Sequence, residues 1–138
     1  MTLPRISVVV PFYNNEDLLG DCLASIAAQT FRDFEVIMVD DGSTDGGAAI
    51  AAAQAAADPR FTLIQVPNGG PGYARNRGIA RARGTYLAFV DGDDALPAHA
   101  YERMLHALEN SGSDFVCGNV QRIGPMGITQ SALHAKAI

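Results

Sequence analysis

Phe34-Glu-Val-Ile-Met-Val39, followed by Asp40-Asp41-Gly-Ser-Thr-Asp45 and the alanine-rich run Gly46 to Ala57, is the stretch that decides how this chain folds. An apolar hexamer with almost no polar alternation reads as a strand covered on both faces. A turn of Asp, Gly, Ser and Thr stops it, and the alanines favour helix until Asp58-Pro59 closes the run. Strand, turn and helix make half of a parallel crossover unit, so the flanking sequence should supply more strands of the same kind.

It does so on both sides. Upstream, Ile6-Ser-Val-Val-Val10 is another buried strand, ended by Pro11. Asn14 or Asn15 can cap the helix that follows, in which Leu18, Leu19, Cys22, Leu23 and Ile26 recur at helical spacing up to about Gln29. Downstream, Phe61 to Val66 is a third strand, Pro67 to Gly72 a Gly/Pro-rich loop, Tyr73 to Arg83 a helix ended by Gly84, and Thr85 to Val90 a fourth strand. Pro97 introduces a helix to about Asn110 with Met104, Leu105 and Leu108 facing inward, and Ser113 to Val120 reads as a fifth strand. Beyond Gly124 the pattern fades. The expected fold class is α/β, an open, mostly parallel, Rossmann-like sheet with helices on both faces. The expected organisation is one domain over 1–138, with a core of about 1–123 and a poorly defined tail over 124–138.

Composition narrows the function. A chain of 138 residues that is 48% hydrophobic can bury a single core. Its formal net charge of −5 offers no basic face for counterion release, which excludes a general nucleic-acid binder. Cys22 and Cys117 are too few for a disulfide framework, and no signal peptide or apolar run of spanning length is present, so a cytoplasmic setting is expected. Asp40, Asp41, Asp45, Asp91, Asp93 and Asp94 gather into two short loops, and clustered like charge asks for a reason.

With a sheet order of 3-2-1-4, the ligand crevice lies outside the carboxyl ends of the strands, beside strand one. Three loops meet there: Pro11 to Asn15, Asp40 to Asp45 and Asp91 to Asp94. Strands lie about 4.8 Å apart, so the two aspartate loops flank strand one at roughly 10 Å, a gap that a nucleoside diphosphate can bridge. In Asp91-Gly-Asp93-Asp94 three carboxylates crowded into four residues would disfavour one another's charge without a cation, and a divalent cation removes the conflict. Oxygen-only ligands suit Mg²⁺ or Mn²⁺ rather than zinc. The plainer reading of both loops is a solvated turn or helix cap, with Ser43, Thr44 or Asp45 serving the second helix. Position at the mouths of buried strands favours the functional reading. The loop Pro67 to Gly72 could bring bare backbone close to a ligand, and Arg75 places a cation on the next helical turn. Arg77, Arg81 and Arg83 read as a solvated helix face, and His99, His106 and His134 show no metal-ligand spacing.

In order, Val8-Val-Val-Pro-Phe-Tyr-Asn14, Val39-Asp-Asp-Gly-Ser-Thr-Asp45, Gly72-Tyr-Ala-Arg-Asn-Arg-Gly78 and Phe89-Val-Asp-Gly-Asp-Asp94 strongly resemble glycosyltransferase family 2, of the GT-A fold, over roughly residues 5 to 120. The resemblance implies that Pro11, Tyr13 and Glu16 help form a nucleoside pocket, with Tyr13 against the base, Asp41 accepting from it and Arg75 against the nucleotide. It implies that Asp91 and Asp93 are the family's D-x-D element, Asp91 near the ribose and Asp93 on the metal, while Asp94 assists or caps. Inverting transfer also needs a carboxylate base, which in the family comes from a segment well beyond this loop. Glu102, Glu109 and Asp114 follow no such motif, so the base is expected beyond Ile138, where the chain reads as cut from something longer.

The resulting expectation is a metal-dependent inverting glycosyltransferase with Mn²⁺ or Mg²⁺ as cofactor. It would take a nucleotide-sugar donor, UDP-linked, and a glycan, lipid-linked or polyol-phosphate acceptor. Peripheral attachment at the inner face of the membrane would come through a region after Ile138. The alternatives are a donor-binding or regulatory module without transfer of its own and a sugar nucleotidyltransferase, which should carry a Gly-rich loop where this chain has Pro-Phe-Tyr-Asn-Asn15. A nicotinamide dehydrogenase is disfavoured because Gly70-Pro-Gly72-Tyr-Ala-Arg75 lacks the last Gly and follows the wrong strand.

Overall fold

The structure is a computed structural model that describes residues 2–114 and the strands Val120–Gly124 and Gly127–Ser131. The chain divides into two compact units, 1–98 and 99–138. In the first, β1 (Ile6–Phe12), β2 (Phe34–Asp41), β3 (Phe61–Val66) and β4 (Tyr86–Phe89) alternate with α1 (Glu16–Ala27), α2 (Gly47–Ala57) and α3 (Pro71–Arg81). The four strands are parallel, in the order β3-β2-β1-β4.

β1 and β2 carry the most continuous apolar runs and occupy the centre of the sheet, where all seven residues of β1 are buried. Moving from β1 to β2 to β3, right-handed crossovers put α1 and α2 together on one face; the return to β4 puts α3 on the other. There Val9, Ile37, Val39 and Val66 pack against Ala74 of α3. Gly78 lets this helix sit close, because a Cβ at that position would run into Val9 and come 3.3 Å from Val39. On α1 the buried face is Leu19, Cys22, Leu23 and Ile26. Leu18, expected on the same stripe, is 50% exposed, at the edge of the face.

The amino end of the sheet is held by one partly buried carboxylate. Glu35 accepts from the Ser7 hydroxyl at 2.6 Å, from the Arg83 backbone N–H at 2.7 Å and from the Arg83 guanidinium at 3.2 Å, and Ser7 in turn accepts from Gly84 N–H at 2.7 Å. This ties β1, β2 and the turn before β4 together. Burial pushes the Glu35 carboxyl up, but Ser7 and Arg83 outweigh it and hold it below the ordinary glutamate range.

In the second unit, α4 (Ala100–Ser111) buries Tyr101 and Leu105 and ends at Gly112 in the left-handed conformation; β5 (Val120–Gly124) and β6 (Gly127–Ser131) pair antiparallel. The helix begins three residues after the expected Pro97. The reason is tertiary: Leu96 N–H donates to Ser25 Oγ at 3.0 Å, Gln29 Nε2 to the Pro97 carbonyl at 2.7 Å and Thr30 N–H to the Ala98 carbonyl at 2.9 Å. The carboxyl end of α1 thus holds this segment outside any helix. The fifth strand expected over Ser113 to Val120 falls mostly on residues 115–119, outside the described residues, and the fading pattern after Gly124 gave no sign of β6. No described helix is long and apolar enough to cross a membrane.

Candidate functional site

Parallel strands deliver all their following loops to one end of the sheet, and the register fixes which loops become neighbours. Phe12 lies beside Asp40, and Val9 beside Phe89, so the loops after β2 and β4 stand on either side of the loop after β1. Between them opens a cavity of about 520 Å³. Pro11, Phe12, Tyr13 and Asn15 line it from β1; Asp41 from β2; Asn68, Gly70, Pro71, Ala74 and Arg75 from the third loop and α3; Asp91, Gly92 and Asp93 from the loop after β4.

Six of the residues singled out in the sequence, Pro11, Tyr13, Asp41, Arg75, Asp91 and Asp93, therefore share one cavity. Tyr13 presents its ring to it, 46% exposed. Glu16 does not line it; as the first residue of α1 it lies against Gly46, and its N–H donates to Asp45 Oδ2 at 3.1 Å. Asp41 is buried, and its carboxylate accepts from Gly69 N–H at 2.8 Å and Gly70 N–H at 3.1 Å. It anchors the third loop, and each of its oxygens keeps one lone pair for another donor. Asp40 serves its own loop, accepting from Ser43 N–H at 2.8 Å. Gly42 is required where it stands: its φ is +75°, and a Cβ would come 2.8 Å from the Asn68 backbone nitrogen.

Arg75 reaches across from α3 to Asp91, Nη2 to Oδ1 at 3.2 Å, with both side chains partly exposed. Asp91, Asp93 and Asp94 can each place an oxygen within 4.8 Å of the other two. Burial raises the Asp94 carboxyl above the ordinary aspartate range, and the charges of Asp93 and Asp91 add to the effect. That repulsion is what a divalent cation would relieve, and an all-oxygen donor set suits Mg²⁺ or Mn²⁺, so the residues present fit such an ion. The loop rests on buried groups: Gly92 N–H donates to the Pro11 carbonyl at 3.2 Å, and the fully buried Cys22 Sγ lies 3.5 Å from the Asp91 carbonyl oxygen. Burial first, and then the charges of Asp94, Asp93 and Asp91, push the Cys22 thiol up to about 12.

Sequence reasoning brought the loops that carry Asn15, Asn68 and Gly92 to the crevice but did not single out these three as wall residues of the cavity. Asn15, expected as a helix cap, accepts the first helical N–H bonds through its backbone carbonyl, while its side chain turns back to accept Tyr13 N–H at 3.0 Å. The side-chain cap comes instead from Asp45, a residue of the next loop.

An open α/β sheet with a nucleotide-sized cavity at its carboxyl edge and a D-x-D loop on the rim is the GT-A arrangement of glycosyltransferases. The family model described as glycosyl transferase family 2 matches residues 7–134, and the chain belongs to that family. Among curated relatives it is 37% identical over 131 residues to the poly(ribitol-phosphate) beta-glucosyltransferase of Bacillus spizizenii, covering 92% of this chain and 21% of that protein. Among solved structures it superposes on S. aureus TarS in complex with UDP-GlcNAc with a TM-score of 0.74 and 34% identity, over 80% of this chain and 32% of that one. It also superposes on the mannosyltransferase PcManGT of Pyrobaculum calidifontis in complex with GDP-Man and Mn²⁺, with a TM-score of 0.74 and 27% identity, over 88% of this chain and 37% of that one. The chain spans about a third of the length of the first curated relatives it matches.

Proposed function

We propose that this chain is the donor-binding part of a metal-dependent inverting glycosyltransferase that takes a UDP-linked sugar. The observation that carries the reading is the convergence of Tyr13, Arg75, Asp91 and Asp93 on one cavity beside β1. An aromatic side chain suits a nucleobase and a carboxylate cluster suits a chelated diphosphate, with Arg75, paired to Asp91, as a cation for the phosphates. Pro11 and the Asp41-anchored loop wall the nucleoside end, Asp41 accepts from the base, and Asp91 faces the ribose. Asp93, with Asp91 and Asp94 beside it, would hold Mn²⁺ or Mg²⁺. Such an ion, when bound, stabilises the negative charge that develops on the departing diphosphate. TarS with UDP-GlcNAc and PcManGT with GDP-Man and Mn²⁺ support a nucleotide sugar and a divalent ion as ligands of this chain. Of the glycan, lipid-linked and polyol-phosphate acceptors expected from the sequence, the relative named for poly(ribitol-phosphate) supports the polyol-phosphate.

Calorimetric titration with UDP, with and without Mn²⁺, tests the reading. Binding should strengthen with Mn²⁺, and Asp93→Ala should lose that increment. Equal binding in both buffers, or binding in neither, would overturn it.

A further inference from the structure

The loop after β1 and the loop after β2 are joined by more hydrogen bonds than either needs to form its own turn. Asn14 N–H donates to Ser43 Oγ at 3.1 Å, and the Asn14 carboxamide oxygen accepts from Thr44 N–H at 2.8 Å and from the Thr44 hydroxyl at 3.4 Å. Asp45 completes the join: Oδ2 accepts from Glu16 N–H at 3.1 Å and Oδ1 from Gly47 N–H at 2.9 Å, so one carboxylate serves the first residues of both α1 and α2. Among the described residues Asn14 is the only non-glycine with positive φ, at 51°. Asparagine tolerates that conformation better than most side chains, but it still costs free energy, and the cross-loop bonds hold it there. The residue placed by this backbone is its neighbour Tyr13, whose N–H is held by Asn15 and whose ring fronts the cavity.

We propose that Asn14 is a positioning residue: by locking the β1 loop to the β2 loop, assisted by Asp45, it fixes Tyr13 in place before any nucleotide arrives and so sets nucleoside affinity without touching the ligand. The inference rests on the donor reading above and adds to it a cause of preorganisation. It also separates two ends of the site. The lock acts on the nucleoside end, whereas Asp91, Asp93 and Asp94 belong to another loop, so loosening the lock should weaken UDP equally with and without Mn²⁺.

Two variants of the full chain separate the lock from general stability. Asn14→Gly keeps the left-handed backbone and deletes the acceptor; Asn14→Asp keeps both. In the free protein, Asn14→Gly should speed amide hydrogen exchange in peptides covering 12–16 and 42–47 about tenfold, the scale of one or two net hydrogen bonds, while Asn14→Asp keeps wild-type protection. UDP affinity of Asn14→Gly should fall about tenfold, by the same reasoning, with the Mn²⁺ increment unchanged. Wild-type exchange in Asn14→Gly, equal loss of protection in Asn14→Asp, or a fall confined to the Mn²⁺ buffer would overturn the proposal. UDP binding by the unaltered chain that Asn14→Gly leaves unchanged overturns it alone; no UDP binding by the unaltered chain overturns the donor reading and this one with it.

Discussion

Gly92 sits under the aspartate loop with no room for a side chain, which makes Gly92→Ala a direct probe of how that loop is held. Its φ lies outside the left-handed region, so alanine meets no backbone strain; the obstacle is steric. A Cβ there would fall 2.6 Å from Phe12 Cβ and 3.0 Å from Asn15 Oδ1, with the first contact roughly 1 Å short of ordinary van der Waals separation. Neither neighbour is the far end of a flexible chain. Phe12 belongs to a buried strand, and Asn15 Oδ1 is engaged by Tyr13 N–H. The loop must therefore rise, lengthening the Gly92 N–H bond to the Pro11 carbonyl and moving Asp91 and Asp93 with it. Overpacking of this kind costs about 1–3 kcal/mol. For a chain of this size that corresponds to a fall in Tm of roughly 3–10 °C, read by calorimetry. Affinity for UDP in the presence of Mn²⁺ should fall roughly tenfold, about 1.4 kcal/mol. Gly20→Ala is the control, because nothing lies within 4 Å of its Cβ and α1 should gain up to about 1 kcal/mol. If Gly92→Ala melts and binds like the unaltered chain, the loop is not seated on Phe12 and Asn15 as described.

Glu35→Gln should destabilise the fold by about 1 kcal/mol, since a partly buried charged acceptor and its bonds to Ser7 and Arg83 are weakened together. Because the folded carboxyl is held below its unfolded value of 4.5, its contribution is complete above that pH and is lost as pH falls through the folded value. Urea unfolding should therefore show the gap between variant and parent closing below about pH 4.5, and a constant gap would refute the assignment. Asp94 has the opposite sign: its raised carboxyl resists charging beside Asp93 and Asp91, so Asp94→Asn should raise the melting temperature in chelator and weaken Mn²⁺ binding. In the parent chain, Mn²⁺ affinity measured by titration should decline as pH falls through the raised Asp94 value. Cys22, fully buried and with its thiol pushed up to about 12, should stay unmodified by iodoacetamide at pH 8 in the native chain and react on unfolding, as peptide mass spectrometry can follow.

The sheet was legible because its strands are written locally. Val8-Val-Val10 and Val36-Ile-Met-Val39 leave no polar face, and that pattern means burial on both sides whatever lies elsewhere in the chain. The strand order then placed the loops, and with them Tyr13, Asp41, Arg75, Asp91 and Asp93. What stayed hidden depends on bonds between residues far apart in sequence. Ser25 and Gln29 look like ordinary helical positions, yet they hold Leu96 and Pro97 and delay α4. Glu35 looks like a polar interruption in a strand until Ser7 and Arg83 converge on it. Asn15 was legible as the residue before the helix because that position is local; that its side chain turns toward Tyr13 and Gly92 and leaves the capping to Asp45 was not. Glu16 carried the family's motif but stands off the cavity, against Gly46.

All the residues that line the cavity come from the stretch between Pro11 and Asp93, inside the first compact unit. One uninterrupted stretch of sequence therefore carries the whole lining, so an exchange of anything outside that stretch would leave every wall residue of the cavity in place.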